Sequence, residues 1–95
     1  MNIITLRGID FASVEELQDY LQEALEAPEY YGRNLDALYD VLTDVTQETV
    51  IRIDTDDMEN EEMADYFGRL IRVCRDASAA NPSLTLEMKE SPAEA

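Results

Sequence analysis

PEYYGRNLDALYDVLTD, residues 28–44, joins an aromatic pair and a glycine turn to the start of a short helix. At about 100° of rotation per residue, this helix carries Leu35, Leu38 and Leu42 on one face. The opposite face carries Asp36, Asp40 and Asp44. Like charges four residues apart disfavour an isolated helix by roughly 0.2–0.5 kcal/mol per pair. The helix therefore either has a use for its negative charge or simply belongs to a very acidic protein.

The composition favours one acidic globular domain. The 95 residues suffice for a single modest core, and a hydrophobic content of 45% argues against wholesale disorder. The chain has 22 acidic and 7 basic residues and a formal net charge of −15, so nucleic acid and anionic membranes repel it. A basic partner would complement this charge, although solubility alone would also account for it. We predict one domain over residues 1–90 and a disordered tail over residues 91–95.

Several functional classes lack their usual residues in this chain. Histidine, the commonest general base and metal ligand, is absent. A single cysteine, Cys74, cannot form an internal disulfide and indicates a reducing compartment. No apolar run is long enough to span a bilayer or to form the core of a signal peptide. We therefore expect a cytoplasmic protein that is not an enzyme and needs no cofactor.

The apolar spacing predicts alternating strands and helices. Strands are predicted at residues 2–6, 49–53 and 84–88, and helices from Ser13 to before Pro28, from Asn34 to about Val45, and from about residue 62 to before Asn81. Strands separated by helices favour βαβ connections, and hence an α/β fold with a small, mainly parallel sheet covered by helices. Arg52 in the second strand predicts that this strand is not buried on both faces.

Two alternatives to a protein-binding role can be weighed from the residues. The acidic segment DTDDME, residues 54–59, has alternating carboxylates, but Met58 and Glu59 break the calcium-loop pattern at an oxygen ligand and at the turn glycine. Asp36 and Asp40 could form a catalytic carboxylate pair, yet an exposed helix face offers no cleft to raise one pKa. Cys74 lies in the apolar stripe of its helix and is interpreted as a buried structural thiol.

A protein-binding face is the third interpretation. Tyrosines are enriched in binding hot spots, and Tyr30, Tyr31 and Tyr39 lie close to the aspartates in the sequence. Each of these tyrosines could equally pack into the core. Asp36 could simply stabilise the first turn of its helix, whereas Asp40 and Asp44 lie too far along the helix to do so.

The block from Pro28 to Asp40, with Leu42 and Thr43 after it, resembles the barstar family of intracellular inhibitors of the ribonuclease barnase. A weaker resemblance extends over residues 1 to about 89 and includes Val73 to Ala77. It implies a three-stranded parallel sheet flanked by helices, with the second helix and the turn before it plugging a ribonuclease active site. It also implies that Asp40 takes the place of a substrate phosphate.

The resemblance also assigns further contacts. Tyr30, Asp36 and Thr43 match contact positions, and Asp76 matches a glutamate at the edge of the family's interface. The chain departs from the family at three positions. Tyr39 stands where the family has a tryptophan in the interface helix, and Asp44 and Val45 stand where the family has the glycine and tryptophan that follow that helix. The predicted partner-binding residues are Tyr30, Asn34, Asp36, Tyr39, Asp40, Thr43, Asp44 and Asp76.

The expected partner is a basic ribonuclease, of either the extracellular or the toxin type, and we expect the free protein to be a monomer. A toxin target would make the chain an immunity protein. A barstar-like module that binds some other basic protein remains an alternative, and a small metal-binding protein is a third.

Overall fold

The structure is a computed structural model that describes residues 1–56 and 58–88, so the predicted tail at residues 91–95 lies outside the described residues. The elements are β1 (Asn2–Arg7), a 3-10 turn (Gly8–Asp10), α1 (Val14–Ala24), α2 (Leu35–Thr43), β2 (Thr49–Asp54), α3 (Glu61–Ala80) and β3 (Leu84–Met88). The strands form a parallel sheet in the order β1-β2-β3. The predicted α/β class and the parallel three-stranded sheet are confirmed.

The helices cover one face of the sheet and leave the other exposed. Ile4, Leu6, Ile51 and Ile53 alternate along β1 and β2 and lie in the core with the apolar sides of the helices. The residues between them point the other way, and Arg52 is exposed, as its charge predicts. We call this second side, formed by Ile3, Thr5, Arg7, Val50, Arg52, Asp54, Thr85 and Glu87, the open sheet face.

The first two helices begin at the side chains that the sequence suggests. Ser13 Oγ accepts a hydrogen bond from the backbone N–H of Glu16 at 3.2 Å. Glu16 reaches back one residue further than in an ideal capping box, because its Oε1 accepts from Ala12 N at 2.7 Å. Asn34 Oδ1 accepts from Ala37 N at 2.8 Å. This bond fixes the first turn of α2.

The C-terminal end of α2 is fixed by a residue that directly follows α3. The helix was predicted to extend to about Val45 but ends at Thr43, with Asp44 as its C-cap and a tightened last turn in which Val45 N donates to Leu42 O. The buried Asn81, just after α3, donates from Nδ2 to the carbonyl oxygens of Leu42 and Val45, at 2.9 Å each. Asn81 thus gives the carbonyl oxygen of Leu42 a further donor and bonds that of Val45 just beyond the helix, and α2 is held at both ends.

Candidate protein-binding site

The two sides of α2 differ as the sequence predicts. Leu38 and Leu42 are 1% and 0% exposed and lie in the core, while α2 packs against α3. The opposite side carries three exposed carboxylates, which we call the acidic face: Asp36, Asp40 and Asp44. Because the leucines fix the rotation of the helix about its axis, the carboxylates project from a rigid support.

No cation of the described chain neutralises the acidic face. Within residues 1–56 and 58–88, the four ion pairs are Arg7–Asp54, Arg33–Asp19, Arg52–Glu87 and Arg69–Asp65. Arg33 is the basic residue closest in sequence to α2, and its guanidinium turns to α1, where it pairs with Asp19. The aspartates of α2 therefore repel one another and offer their charge to an external cation.

The structure separates the two neighbouring tyrosines of the loop between α1 and α2, residues 25–34. Tyr30 is 89% exposed, whereas Tyr31 is 6% exposed and belongs to the core. The hydroxyl of Tyr31 donates to Gln18 Oε1 at 2.5 Å. Burial, together with the nearby Tyr66, raises the pKa of Tyr31 to about 12. Of this pair, only Tyr30 can offer its ring to a partner.

A groove of about 610 Å³ borders the acidic face. Tyr30 and Gly32 line it from the loop, and Asp40, Val41 and Asp44 line it from α2. The loop also contributes residues 25–28 and Tyr31, and the remaining lining comes from the end of α1, Ala37 of α2, the segment after α2, and the first residues of β1 and β2. Three carboxylate residues (Glu26, Asp40 and Asp44) and an exposed tyrosine thus surround a partly apolar recess that could accept a basic or aromatic group.

The remaining predicted residues lie on or near α2 but outside the groove lining. Tyr39 is 36% exposed, at the border between the apolar side and the acidic face. Thr43 Oγ1 donates to Asp40 O at 3.0 Å, and Asn34 is engaged in the helix cap. Asp36 is exposed in the first turn. Their contacts with a partner stay predictions.

Asp76 lies on α3, the helix that packs beside α2. It is exposed and precedes Asn81 by five residues, roughly 7.5 Å along a helix axis. Asn81 is bonded to the last turn of α2, so Asp76 lies at the end of α3 that meets the acidic helix. The position suits the edge of an interface centred on α2.

The residues of the alternative sites are engaged in contacts within the fold. Asp54 pairs with Arg7 at 3.9 Å, and its Oδ1 accepts from Asp56 N at 2.9 Å. In the part of the chain that the structure describes, no group of three or more potential ligand side chains could hold a metal ion. Cys74 is 1% exposed, and burial raises the pKa of its thiol to about 12, so it is the buried structural thiol that the sequence predicts. None of the helices in residues 1–56 and 58–88 has the length and apolar character needed to cross a membrane.

Sequence reasoning missed much of the groove. Val41, Val45 and Gln47 line it beside the acidic face, as does Asn2 from the start of β1. No periodicity marks these residues, because the groove forms only when the parallel sheet brings the starts of β1 and β2 together. The polar residues of α1 that hold the loop were also missed, although their helical spacing could have indicated a shared face.

Comparison with known proteins relates the chain to a family and to a curated protein. A family model described as Barstar (barnase inhibitor) matches residues 1–89. A Bacillus subtilis (strain 168) protein named "Putative ribonuclease inhibitor YrdF" is 54% identical over 43 residues. That alignment covers 45% of this chain and 47% of the relative, so the chain spans about half the length of the curated relative that it matches.

Proposed function

We propose that this chain, which belongs to the barstar family, inhibits a ribonuclease by inserting the acidic face of α2 into the phosphate-binding site of the enzyme. The observation that carries the proposal is the set of three uncompensated aspartates on a helix that is fixed at both ends. The name of the Bacillus subtilis relative supports the same class of target.

The chemistry of a ribonuclease explains why carboxylates would serve. Such an enzyme must bind the phosphates of RNA, so its active site presents cationic and hydrogen-bonding donors. A carboxylate can accept charge-assisted hydrogen bonds from the same donors. Asp40 is the central member of the acidic face and also lines the groove, so it takes the place of a substrate phosphate in the proposal.

Tyr30 supplies apolar contact beside this charge. An aromatic ring that is 89% exposed contributes a large contact area when a partner covers it, and its hydroxyl can still form a hydrogen bond. The groove between Tyr30 and Asp44 would receive a side chain from the rim of the enzyme active site. The inhibitor itself performs no reaction and needs no cofactor.

The net charge of −15 indicates the kind of ribonuclease. We propose a basic enzyme, because complementary charge accelerates encounter, an effect for which the barnase–barstar pair is a standard example. We also propose a monomeric inhibitor in the cytoplasm, the reducing compartment that a single buried cysteine suits. A target that is a toxin would make the chain an immunity protein.

An inhibition titration tests the proposal. Increasing amounts of the protein are added to barnase and to other basic ribonucleases, and the cleavage of RNA is followed. We expect one enzyme to lose its activity at a molar ratio of one to one. If every ribonuclease retains its activity, the proposed function is wrong, and capture of a basic protein that is not a nuclease would favour the alternative interaction module.

A pair of matched variants separates specific recognition from net charge. Asp36→Asn, Asp40→Asn and Asp44→Asn together remove three charges from the acidic face. Asp10→Asn, Glu59→Gln and Glu61→Gln remove three exposed charges near the carboxyl ends of β1 and β2, at the opposite end of the sheet from the groove. We expect the first triple variant to lose inhibition and the second to retain it. Equal losses would mean that only the total charge matters.

A further inference from the structure

One side of α1 carries a row of polar residues that faces the loop of residues 25–34. The row is Glu15, Gln18, Asp19 and Gln22, at the i, i+3, i+4 and i+7 spacing of a single helix face. Arg33 bonds to Asp19 and, at 3.4 Å, to the carbonyl oxygen of Glu15. Gln22 Nε2 donates to the carbonyl oxygen of Pro28 at 3.2 Å. The loop is therefore tied to α1 along most of its length.

Gln18 is the buried member of this row. It is 1% exposed, and both polar atoms of its amide are used: Oε1 accepts from the Tyr31 hydroxyl at 2.5 Å, and Nε2 donates to the Tyr66 hydroxyl at 2.7 Å. One side chain thus joins the loop, α1 and α3. Hydrogen bonds in such a largely buried network have directional requirements that simple apolar packing lacks.

The anchored residue, Tyr31, lies between two exposed residues of the loop that also line the groove. Tyr31 points into the core, while Tyr30 and Gly32 on either side of it face the recess. Glu26 and Arg33, near the two ends of the loop, have φ values of 53° and 57°, in the left-handed region that residues with a side chain seldom adopt. Such conformations persist where the surrounding structure holds the chain in place, which here includes the bonds from α1 to the loop.

We propose that Gln18 is a positioning residue for the binding site: it orders the loop in the free protein so that Tyr30 stands beside Asp40 before a ribonuclease arrives. The functional part of this inference rests on the proposed inhibition, whereas the ordering of the loop does not. A loop that is ordered in advance lowers the entropy lost on association, which strengthens binding without adding a contact.

The test uses two variants that differ in what they do to stability. Gln18→Leu leaves the hydroxyls of Tyr31 and Tyr66 without their partner, so it disturbs both the fold and the loop. The triple variant Gln18→Leu, Tyr31→Phe and Tyr66→Phe removes all the polar groups together, which restores apolar packing but not the directional anchor. A purely structural role predicts that the triple variant changes in overall stability only, with neither faster exchange confined to the loop nor weaker binding.

The first measurement is hydrogen exchange in the unbound protein. The amide of Tyr31, bonded to Pro28 O at 2.9 Å, and the amide of Ala27, bonded to Gln22 O at 2.9 Å, report on the loop. We expect both to exchange roughly fivefold to tenfold faster in the triple variant, as the loss of one hydrogen bond of ordinary net strength predicts. The amides of β2 should be unchanged. Loop amides that stay as protected as in the parent would overturn the inference, whether or not any ribonuclease is inhibited.

The second measurement is affinity for the ribonuclease that the parent inhibits, with barnase as the first probe. We expect the triple variant to bind roughly fivefold to tenfold more weakly. In a Tyr30→Ala background the same three changes should have little further effect, because the group that they position is gone. A core change at the far end of β2, Ile53→Val, serves as the control that lowers stability without loosening the loop. Unchanged affinity despite faster loop exchange would refute the role in binding, and a parent that inhibits no ribonuclease would instead refute the proposed function.

Discussion

The acidic face of α2 and the open sheet face are both exposed and charged, yet their charges are arranged in opposite ways. On the sheet, Arg52 lies opposite Glu87 in the register of neighbouring strands, and their side chains pair at 2.8 Å. Arg7 and Asp54 are paired in the same manner at 3.9 Å. On α2, the charges have one sign, and no cation of the described residues pairs with them.

The difference indicates which charges serve the fold. A cross-strand pair supports the register of the sheet and leaves little net field. A row of like charges on a helix opposes the fold slightly and creates a field that reaches a partner. The open sheet face carries four charged residues and the acidic face three, so the pairing of charges, rather than their number, distinguishes the proposed binding surface.

The largest expected effect on binding tests this comparison directly. Asp40→Ala should weaken the complex with the target ribonuclease by about 2 kcal/mol or more, roughly 30-fold, because cationic donors of the enzyme would lose their acceptor. Glu87→Ala, which removes one carboxylate from the open sheet face, should leave affinity unchanged. Calorimetric titration of the two variants measures both. If Asp40→Ala binds as well as the parent, the phosphate-like role of Asp40 is wrong.

The next prediction concerns the core beneath both surfaces, whose contribution to stability should fall at alkaline pH. Burial raises the pKa of Cys74 from its ordinary 9.0, and that of Tyr31 from 10.0, in each case to about 12. The folded state therefore holds these protons at a pH where the unfolded chain has released them. Stability should be fully present below pH 9 and fall as pH rises towards 12, by about 1.4 kcal/mol per pH unit for each proton.

Urea denaturation at a series of alkaline pH values measures this loss. Because Cys74 and Tyr31 both lie in the core, this loss of stability reports on the core beneath the two surfaces. Cys74→Ala should flatten the decline that starts near pH 9, the ordinary pKa of the thiol. A free energy of unfolding that is constant up to pH 11 would show that the two groups are not buried as described.

The rate of association responds to the uncompensated charge. Raising the salt concentration from about 0.01 M to 1 M shortens the screening length from roughly 30 Å to 3 Å. We expect association with the ribonuclease to slow by about tenfold or more, and dissociation to change less. Stopped-flow mixing measures both rates. An association rate that does not depend on salt would show that the acidic face does not steer the encounter.

The architecture could be predicted from sequence because it depends on periodicity. The positions of all three strands and all three α-helices follow from apolar spacing, and Arg52 marked the open sheet face correctly. The end of α2 was placed about two residues too late. The tightened last turn and the distant Asn81, which together fix that end, leave no signal within the helix sequence itself.

The site could be predicted only in part, because some of it depends on tertiary placement. The acidic face follows from a spacing of four residues, whereas the roles of Tyr30 and Tyr31 were open. Their separation depends on Gln18, which lies 13 residues before Tyr31 and provides the buried acceptor. The groove was not predicted, since its lining comes from three separate parts of the chain, at residues 2, 24–32 and 37–49, that only the fold brings together.

The smallest expected effect is on the stability of the unbound protein, which should change in opposite directions when a charge is removed from each surface. Asp40→Asn removes one charge that has a like neighbour four residues away on each side, so it should be neutral or stabilise the free protein by roughly 0.2–0.5 kcal/mol per pair. Glu87→Gln breaks the pair with Arg52 and should be neutral or destabilising by at most about 1 kcal/mol, the usual range for an exposed ion pair. Asparagine and glutamine keep the side-chain shapes, so the charge is the main change. Thermal melts of the unbound variants at low salt measure the two signs, and 1 M salt should diminish both effects.

Such opposite signs are expected if the acidic face lowers stability in favour of recognition, as binding sites often do. An Asp40→Asn variant that melts far below the parent would instead make the acidic face part of the folding energetics, and the proposed inhibitor would lose its main physical support.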